Sequence, residues 1–421
     1  MLGRLRARLA GGGADGGRLT VRTGGGLLAL GGGGSARQRS RGEEHVDTPL
    51  LMITAALVLL GVVMVYSASI TLADSPRYKV TPTHFLVRHL FAIAVASAAA
   101  VAAFSVPMTR WQRLAPAAFG AAFVMLVIVL VPGVGTGALG AKRWIPLGIL
   151  NLQPSELMKV ASVLYAASFT VRKQDYMHSL KRGFLPIGAV MVGIGALLQL
   201  QPDLGAFIVI VAIAMGILFL GGLNGRLFVA ITVLLAIGLA AIVWLFPYRR
   251  ERIFAYLDPW SAEHVLNKGY QLTHSLIAFG RGELFGVGLG GSVEKLHYLP
   301  EAHTDFILAV VAEELGLVAV LAVIVAFYWL TKRAFEIGRQ AVALDRTFAG
   351  LVAQGIGIWL GVQAFINIGV ASGLLPTKGL TLPLVSYGGS AMLATIVAIG
   401  LLLRVDYENR VLMRGGRASA I

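Results

Sequence analysis

Long apolar runs, separated by short polar or Gly/Pro-rich segments, set the pattern of this chain. Ten of the runs approach the roughly 20 residues that a helix needs to cross the hydrocarbon core of a bilayer, so each predicts a membrane-spanning helix. These predicted spans lie near residues 49–70, 86–106, 114–132, 155–171, 184–200, 204–222, 226–247, 304–330, 348–371 and 383–403. The pattern therefore predicts an all-α, polytopic membrane protein with ten transmembrane helices.

The segment before the first run, residues 1–48, is rich in Gly and Arg and contains eight Arg and no Lys. It has no apolar stretch long enough to bury, which predicts a disordered tail. The run at 49–70 has spanning length, so it predicts an uncleaved first helix and not a secretory signal. We expect a membrane domain over residues 49–404 and a second tail over 405–421.

Positive charge is distributed unevenly between the two sides of the predicted membrane domain. With the N-terminal tail inside, the inward-facing segments hold 23 of the 36 Lys and Arg, and the outward-facing segments hold the other 13. Because loops on the cytoplasmic side carry an excess of Lys and Arg, both termini are predicted to be cytoplasmic. Residues 248–303, between the seventh and eighth spans, then form a large exterior loop, and loops of this length are usually functional.

Composition narrows the class of protein further. With 57% hydrophobic and only 14% charged residues, an ordinary soluble domain is excluded. The net charge of +15 is explained by cytoplasmic loops facing anionic lipid, and no basic, aromatic-interleaved patch indicates nucleic acid. The absence of Cys from the sequence excludes disulfides, thiolate catalysis and Cys-based zinc sites.

Charged residues inside or beside the predicted spans are informative, because each costs roughly 3 kcal/mol in the membrane. They are Arg88, Glu156, Lys159, Asp203, Asp305, Glu313 and Glu314, most of them near the outer leaflet. Ion pairing that holds the bundle together explains the carboxylates Glu156, Asp203, Glu313 and Glu314 at least as well as a chemical role. The cations Arg88 and Lys159 could equally hold a phosphate.

The run L-P-E-A-H-T-D-F predicts that a helix begins just before Asp305 and that this residue lies in the first turn of the eighth span. Two explanations for the carboxylate stay open: catalysis, or compensation of the helix dipole, worth about 0.3–1 kcal/mol. If the helix extends far enough upstream, Glu301 shares a face with Asp305. His297 and His303 would add to a loose metal cluster, but the spacing matches no recognised ligand motif.

Three exterior segments are punctuated by Gly and Pro, at 140–148, 269–290 and 374–390. Each is explained by ordinary turns between helices. Irregular backbone at membrane depth is tolerated only where it is buried in protein or lines a cavity, so the third segment is also a candidate cavity wall. None has a Walker pattern or a strand–helix context, so ATP hydrolysis is not supported.

Several motifs in order along the chain identify a family. They are K-R-W-I, N-L-Q-P-S-E-L-M-K, L-L-Q-L-Q-P-D-L-G, Y-Q-L-T-H-S, Y-L-P-E-A-H-T-D-F-I-L-A-V-V-A-E-E-L-G and L-L-P-T-K-G-L-T-L-P-L-V-S-Y-G-G-S. Together they resemble the SEDS proteins (shape, elongation, division and sporulation) over residues from about 50 to 410. K-L-H-Y-L-P-E-A-H-T-D-F and P-T-K-G-L-T-L-P resemble the division members of the family more than the elongation members.

The resemblance implies a peptidoglycan glycosyltransferase of septal wall synthesis. Such an enzyme polymerises lipid II into β-1,4 glycan strands at the outer face of the bacterial inner membrane. The implied partners are a class B penicillin-binding protein of the FtsI type and other proteins of the division machinery. Asp305 matches the essential carboxylate of the family, which implies a general base in a single inverting displacement of undecaprenyl pyrophosphate.

The same resemblance and the placement of charge imply a substrate-binding set around Asp305. Cations expected to meet the leaving pyrophosphate are Arg88, Arg143, Lys159 and Lys378. The other expected members are Glu301, His303, Ser386 and Tyr387. A divalent cation, Mg²⁺ or Mn²⁺, is a candidate to share the task. We further hypothesise that Lys159 pairs with Asp305 at rest, which would keep the carboxylate ionised and less basic.

Two functions of other classes stay open. A flippase would carry lipid II across the membrane and use the same charges only to bind its pyrophosphate. A scaffold would do no more than recruit the penicillin-binding protein. The long exterior loop that leads into a carboxylate at the membrane surface favours the enzyme, because a flippase needs charge binding but no base.

Overall fold

Twelve α-helices and one short β-hairpin make up the described part of the chain. The computed structural model describes residues 46–74, 80–137, 142–148 and 151–416. The helices are α1 (Thr48–Ser69), α2 (His84–Ser105), α3 (Met108–Ile128), α4 (Pro154–Arg172), α5 (Leu185–Leu200), α6 (Leu204–Leu220), α7 (Gly225–Leu245), α8 (Pro247–Leu257), α9 (Tyr270–Gly282), α10 (Ile307–Ala343), α11 (Thr347–Ala371) and α12 (Gly389–Met413). The strands β1 (Ile145–Pro146) and β2 (Asn151–Leu152) pair antiparallel.

The predicted N-terminal tail falls almost wholly outside the described residues, which begin at Val46. At the other end of the chain, α12 continues to Met413, so residues 405–413 of the predicted C-terminal tail are helical. Ion pairs one helical turn apart support this extension, such as Arg404 Nε with Glu408 Oε1 at 2.6 Å. Residues 417–421 lie outside the described residues.

Each of the ten predicted spans overlaps one of the helices α1 to α7 and α10 to α12. The bounds differ most at the C-terminal ends of α10 and α12, which continue to Ala343 and Met413, beyond the predicted ends at 330 and 403. Eight helical stretches of the described residues are long and apolar enough to cross a membrane. The two remaining candidates are α6, a shorter apolar helix of 17 residues, and α4, which carries Glu156, Lys159 and Arg172. The chain is therefore a multi-pass membrane protein, as predicted. The exact number of ten crossings stays a prediction.

Helix starts follow the local sequence. Asp47 Oδ1 accepts a hydrogen bond from Leu50 N at the start of α1, and Asp203 Oδ1 accepts one from Ala206 N at the start of α6, both at 3.1 Å. Such side-chain oxygens satisfy N–H groups that have no partner within the helix. Pro154 occupies the first position of α4, where its missing N–H removes no helical hydrogen bond.

Among the eight helical stretches long and apolar enough to cross a membrane, α11 and α12 are the most buried, with 72% of the 18-residue apolar stretch of each inside the protein. Helix α10 packs against α11, α4 packs against α3 and α6, and α12 packs against α2. At the other extreme, only 6% of the corresponding stretch of α7 is buried, and Ile231 is the one buried residue of this helix. In a membrane, α7 therefore presents nearly all of its surface to lipid.

Helix α10 is broken at Gly316, where φ is 76° and ψ is −176°. Residues 307–315 are buried almost completely, and residues 317–343 continue as a helix about 40 Å long. The break is filled by segment 283–288. Leu317 N and Val318 N donate to Glu283 O (3.0 Å) and Leu284 O (3.2 Å), and Val287 N and Gly288 N donate to Glu313 O (2.9 Å) and Glu314 O (3.0 Å). The predicted uninterrupted span 304–330 is thus two helical pieces, because another segment replaces the missing helical hydrogen bonds.

The predicted exterior loop, residues 248–303, contains most of α8 and all of α9. Tyr256 on α8 donates to Leu374 O at 3.0 Å, and Ser275 on α9 donates to Ala371 O at 2.6 Å. Both contacts fix the loop to the end of α11. The loop is therefore packed against the bundle at the same end as Asp305.

Candidate active site

Asp305 lies in a tight turn, residues 301–306, that precedes α10. The carbonyl oxygen of Glu301, a residue with a φ of 56°, accepts hydrogen bonds from Thr304 N and Phe306 N at 3.1 Å each. Phe306, not Asp305, occupies the cap position of α10. The prediction that Asp305 lies in the first helical turn is therefore wrong, because the turn at Glu301 closes the backbone before the helix starts. Compensation of the helix dipole by this carboxylate stays open, because Asp305 still lies just before the first residues of α10.

The segment between α11 and α12 encloses this turn. Two hydrogen bonds join the segment to the turn: Ser386 Oγ donates to Thr304 O (2.7 Å) and Tyr387 N donates to His303 O (3.0 Å). A third reaches the turn from α11, where Asn367 Nδ2 donates to Asp305 O (2.8 Å). Asn367, on α11, also donates to Leu380 O at 2.6 Å. One amide group therefore ties the main chain of Asp305 to the loop that faces it.

The carboxylate of Asp305 faces Gly379 of that loop. A Cβ atom at position 379 would lie 2.9 Å from Asp305 Oδ2, so glycine leaves the space that the carboxylate occupies. Burial and the negative charge of Glu301 raise the pKa of Asp305 to about 7, and the positive charge of Arg143 opposes this rise. The group therefore exchanges a proton near neutral pH, as a general base requires.

Lys159 does not pair with Asp305, so the hypothesised resting ion pair is wrong. Its ammonium nitrogen lies 2.7 Å from Glu156 Oε1 and 2.8 Å from Gln363 Oε1, and its side chain is fully buried. Gln363 reaches Lys159 from α11, 204 residues along the chain, and also accepts from Trp359 Nε1 at 2.8 Å. Lys159 therefore stabilises the packing of α4 against α11. This placement does not favour a role as a ligand for substrate.

Two of the predicted cations lie near the Asp305 turn. Arg143 donates to Gln201 O at 2.8 Å and to Pro202 O at 2.5 Å, and its charge acts on Asp305. Lys378 lies in the facing loop, next to Gly379 in sequence. Burial, together with the positive charges of Arg252 and Arg249 on α8, lowers the pKa of Lys378 to about 8. An anion bound here would relieve that repulsion between cations.

A polar pocket opens beside the turn. Its lining residues are Arg88, Trp144, Asn151, Gln153, Tyr387, Gly389 and Ser390. Arg88, near the start of α2, forms a hydrogen bond with Tyr387. Guanidinium, amide, hydroxyl and indole groups are suited to phosphate and sugar ligands. The pocket thus brings Arg88 and Tyr387 together, as the predicted substrate set requires.

His303 belongs to the same turn as Asp305, and its ring packs against Tyr387 of the pocket. Its ring packs at 4.9 Å from Phe85 and 5.6 Å from Tyr387, measured between ring centroids. Burial lowers the pKa of His303, so the ring is neutral at pH 7. Ser386, another predicted ligand, already donates to Thr304 O and accepts from Leu382 N at 2.8 Å. The packing of His303 and the hydrogen bonds of Ser386 therefore hold the site in its shape.

The other membrane carboxylates have structural partners. Glu313 accepts from Arg281 Nη1 at 2.8 Å, and Glu314 accepts from Lys295 Nζ at 2.7 Å. Asp203 accepts from Ser155 Oγ at 2.9 Å in addition to capping α6. These contacts favour the explanation that such charges hold the bundle together. Within the described residues, no group of three or more His, Cys, Asp or Glu side chains is arranged to hold a metal ion.

Known proteins are similar to this chain both in sequence and in the arrangement of helices. The family model described as FtsW/RodA/SpoVE cell cycle protein matches residues 48–411. The chain belongs to this SEDS family. A relative from Burkholderia thailandensis named "Probable peptidoglycan glycosyltransferase FtsW" is 60% identical over 98% of this chain and 90% of its own length. A relative of the same name from Polynucleobacter necessarius is 57% identical over 91% of each chain. These identities make the chain an FtsW-like member of the family.

Solved structures of SEDS proteins agree with this fold. A chain from a structure titled "Structural coordination of polymerization and crosslinking by a peptidoglycan synthase complex" matches with a TM-score of 0.69 and 30% identity, covering 86% of this chain and 98% of that one. The rod shape determining protein RodA of Thermus thermophilus matches with a TM-score of 0.61 and 29% identity, covering 87% and 97%.

The motifs of this SEDS chain did not single out every residue that builds the site. Asn367 and Gln363 were missed. They are two amide side chains one turn apart in the apolar α11, and polar side chains in membrane helices usually bond to other parts of the protein, so a signal was present. Gln153 and Asn151, which line the pocket, were also missed. Both belong to the motif N-L-Q-P-S-E-L-M-K, but the motif does not show that they line a pocket, because that role depends on contacts with Ser390 of α12 that arise only on folding.

Proposed function

We infer that this chain is a peptidoglycan glycosyltransferase that polymerises lipid II into β-1,4 glycan strands during septal wall synthesis. Membership of the FtsW-like SEDS proteins supports the activity. The assignment of the site depends on one observation about Asp305. Its carboxylate faces Gly379 of the loop between α11 and α12, and its pKa is raised to about 7. Arg143 and Lys378 lie near it, and the polar pocket that contains Arg88 lies beside the same turn.

Asp305 acts as the general base. Its carboxylate takes the proton of the acceptor sugar's 4-hydroxyl as that oxygen bonds to the anomeric carbon of the donor. The bond from the anomeric carbon to undecaprenyl pyrophosphate breaks in the same step, so the α-linked donor becomes a β-linked glycan. A single inverting displacement needs no carboxylate nucleophile, which agrees with the assignment of one base.

Arg143, Lys378 and Arg88 meet the charge of the leaving pyrophosphate. Lys378 and Arg143 lie beside the base, and Arg88 lines the pocket next to it. A pyrophosphate bound to Lys378 would raise the lysine's pKa again and keep it charged. A divalent cation is a further candidate for this task. Removing divalent ions with a chelator and adding back Mg²⁺ or Mn²⁺ tests whether polymerisation depends on one.

A class B penicillin-binding protein of the FtsI type is the proposed partner, together with other division proteins. The similarity to a chain from a peptidoglycan synthase complex supports such an assembly. The proposed location is the inner membrane at the division septum, with the Asp305 turn at the outer face. The apolar helices and the distribution of Lys and Arg support that orientation.

The deciding experiment gives the purified protein and its partner labelled lipid II and measures glycan chains by gel electrophoresis. We expect Asp305→Ala to lower the rate by about 10²–10⁴-fold, the usual contribution of a positioned base. Glu263→Gln, which changes an exposed carboxylate of the exterior loop, is the matched control and should leave the rate unchanged.

Unchanged glycan chains in Asp305→Ala would exclude this residue as the base. Polymer that forms only when a different glycosyltransferase is added would favour the flippase or the scaffold over the enzyme. Transport of lipid II in vesicles then separates those two, since only the flippase moves the lipid across the membrane.

A further inference from the structure

Segment 284–290 exposes an unusual amount of apolar side chain for part of an exterior loop. Phe285 is 80% exposed, Leu289 62% and Leu284 57%. The sequence from Leu284 to Val293, L-F-G-V-G-L-G-G-S-V, contains no charged residue. An apolar surface of this kind in water is costly, since each exposed Leu or Phe forgoes about 1.5–3 kcal/mol of burial.

The backbone of this part of the chain has partners inside the protein. Its residues fill the break of α10 at Gly316 through the four hydrogen bonds described above. Further along, three N–H groups donate to buried carboxylates: Ser292 N to Glu314 Oε1 (3.4 Å), Val293 N to Glu313 Oε1 (2.9 Å) and Glu294 N to Glu313 Oε2 (3.4 Å). Irregular backbone at membrane depth is tolerated only where protein groups satisfy it, as they do for Gly286 N, Val287 N and Gly288 N of this segment.

The length of α10 places the segment within the membrane. Residues 317–331 carry no charge, and Lys332 and Arg333 follow them, three residues after the pair Tyr328 and Trp329. Aromatic residues next to basic residues mark the membrane–water interface. The uncharged stretch of 15 residues is about 22 Å long, whereas the hydrocarbon core is about 30 Å thick. The core therefore extends outward past Gly316, to the level that segment 284–290 occupies.

The exposed apolar surface is also continuous with the lipid-facing side of α10. Leu317, Val318 and Leu321 are exposed just after the break, and Val318 N bonds to Leu284 O. Because these residues begin a membrane-spanning helix, lipid is the medium that covers them. The neighbouring side chains Leu284 and Phe285 extend the same surface.

We propose that residues 284–290 form a re-entrant segment whose apolar side chains contact the acyl chains of the outer leaflet. Only part of the exterior loop is then exposed to water. Its lipid-embedded portion clamps the two pieces of α10, and the first piece follows directly from the turn that carries Asp305.

The experiment uses the full-length chain, which contains no Cys, so that single cysteines can be labelled without background. Phe285→Cys and Leu289→Cys carry an environment-sensitive fluorophore in vesicles of phosphatidylethanolamine and phosphatidylglycerol. Leu59→Cys, exposed on α1, is the lipid control, and Ala262→Cys, exposed between α8 and α9, is the aqueous control. Size-exclusion chromatography checks that each variant is folded and monodisperse.

We expect the probes at 285 and 289 to emit at shorter wavelength than the probe at 262. Nitroxide attached to lipid acyl chains should quench them as strongly as the probe at 59, and iodide in water should not. Quenching by iodide equal to that at 262 overturns the proposal, because the segment is then in water. Protection from both quenchers also overturns it, because protein and not lipid then covers the segment.

Discussion

The basicity of Asp305 depends on burial and on the charge of Glu301, which both raise its pKa. The carboxylate form is the active base, so activity is present above this pKa and is lost as the pH falls through about 7. Glu301→Gln removes a neighbouring negative charge and should shift the acidic limb of the pH–rate profile to lower pH. Polymerisation rates measured across this range check both expectations.

A wild-type profile with its midpoint near the ordinary value of Asp, about 4, would contradict the raised pKa. An unchanged profile in Glu301→Gln would show that the charge of Glu301 does not reach the base. Glu263→Gln again serves as the control, because its carboxylate lies in an exposed part of the exterior loop.

Asn367 holds the Asp305 turn and the facing loop together with a single amide, through Asp305 O and Leu380 O. We expect Asn367→Ala to lower kcat by about 10²-fold while KM changes little, since a misplacement of about 1 Å at a reacting group has that cost. The pH dependence should change as well, because the environment of the base changes. Steady-state polymerisation kinetics measure all three.

Ser372→Ala is the matched control for Asn367. Ser372, at the end of the same helix, donates only to carbonyl groups of α11, Ile368 O at 2.7 Å and Gly369 O at 3.4 Å. Its removal should leave the kinetics near wild type. Equal losses in the two variants would mean that Asn367 contributes to general stability and not to the position of the base.

At the scale of the element, the break in α10 requires glycine. At Gly316 a φ of 76° with a ψ of −176° is a conformation that other residues adopt only under strain, and a Cβ would lie 2.4 Å from both Gly286 N and Leu284 O. Gly316→Ala should therefore lower the free energy of unfolding by about 3 kcal/mol or more. Thermal unfolding in detergent, followed by circular dichroism, measures the change.

Gly238→Ala provides the comparison, since Gly238 lies in α7 and a Cβ there would meet nothing within 4 Å. Alanine is the better helix former by about 0.5–1 kcal/mol, so this variant should unfold at the same temperature or a higher one. If both variants behave alike, the conformation of α10 at Gly316 is not the one described.

At the scale of the whole molecule, a buried ionic network ties the helices together at the end predicted to be cytoplasmic. Glu408, on α12, accepts from Met108 N at the start of α3 (3.0 Å) and from Arg404 Nε (2.6 Å), and it also contacts Arg346 before α11. Removing one member of a buried pair leaves an uncompensated charge, at a cost of about 3–5 kcal/mol. Glu408→Ala should therefore lower the melting temperature markedly.

Lys332→Ala tests the other extreme. Lys332 Nζ lies 3.9 Å from Glu336 Oε1, and its side chain is 57% exposed. Exposed pairs contribute about 0–1 kcal/mol, so the melting temperature should hardly change. A large loss in Lys332→Ala together with a small one in Glu408→Ala would contradict the packing described for this end of the bundle.

Much of the fold was predictable from local sequence. The runs at 49–70 and 348–371 matched α1 and α11 to within one or two residues, because backbone polar groups in lipid must be satisfied inside a helix. The motifs in order along the chain, with the one around Asp305 among them, were sufficient to indicate the family. The Gly316 break was not predictable, since a glycine inside an apolar run has several explanations and only segment 283–288, packed against it, decides between them.

The sequence by itself determined that this is a multi-pass helical protein with a carboxylate near the outer end of its eighth predicted span, since hydrophobic length and residue type are local properties. Only the tertiary structure decided which charges act on one another. Lys159 pairs with Glu156 and with Gln363, which lies 204 residues away, and Asp305 is left beside Glu301. Coulomb interactions depend on distance and burial, and folding alone brings such distant parts of the chain together.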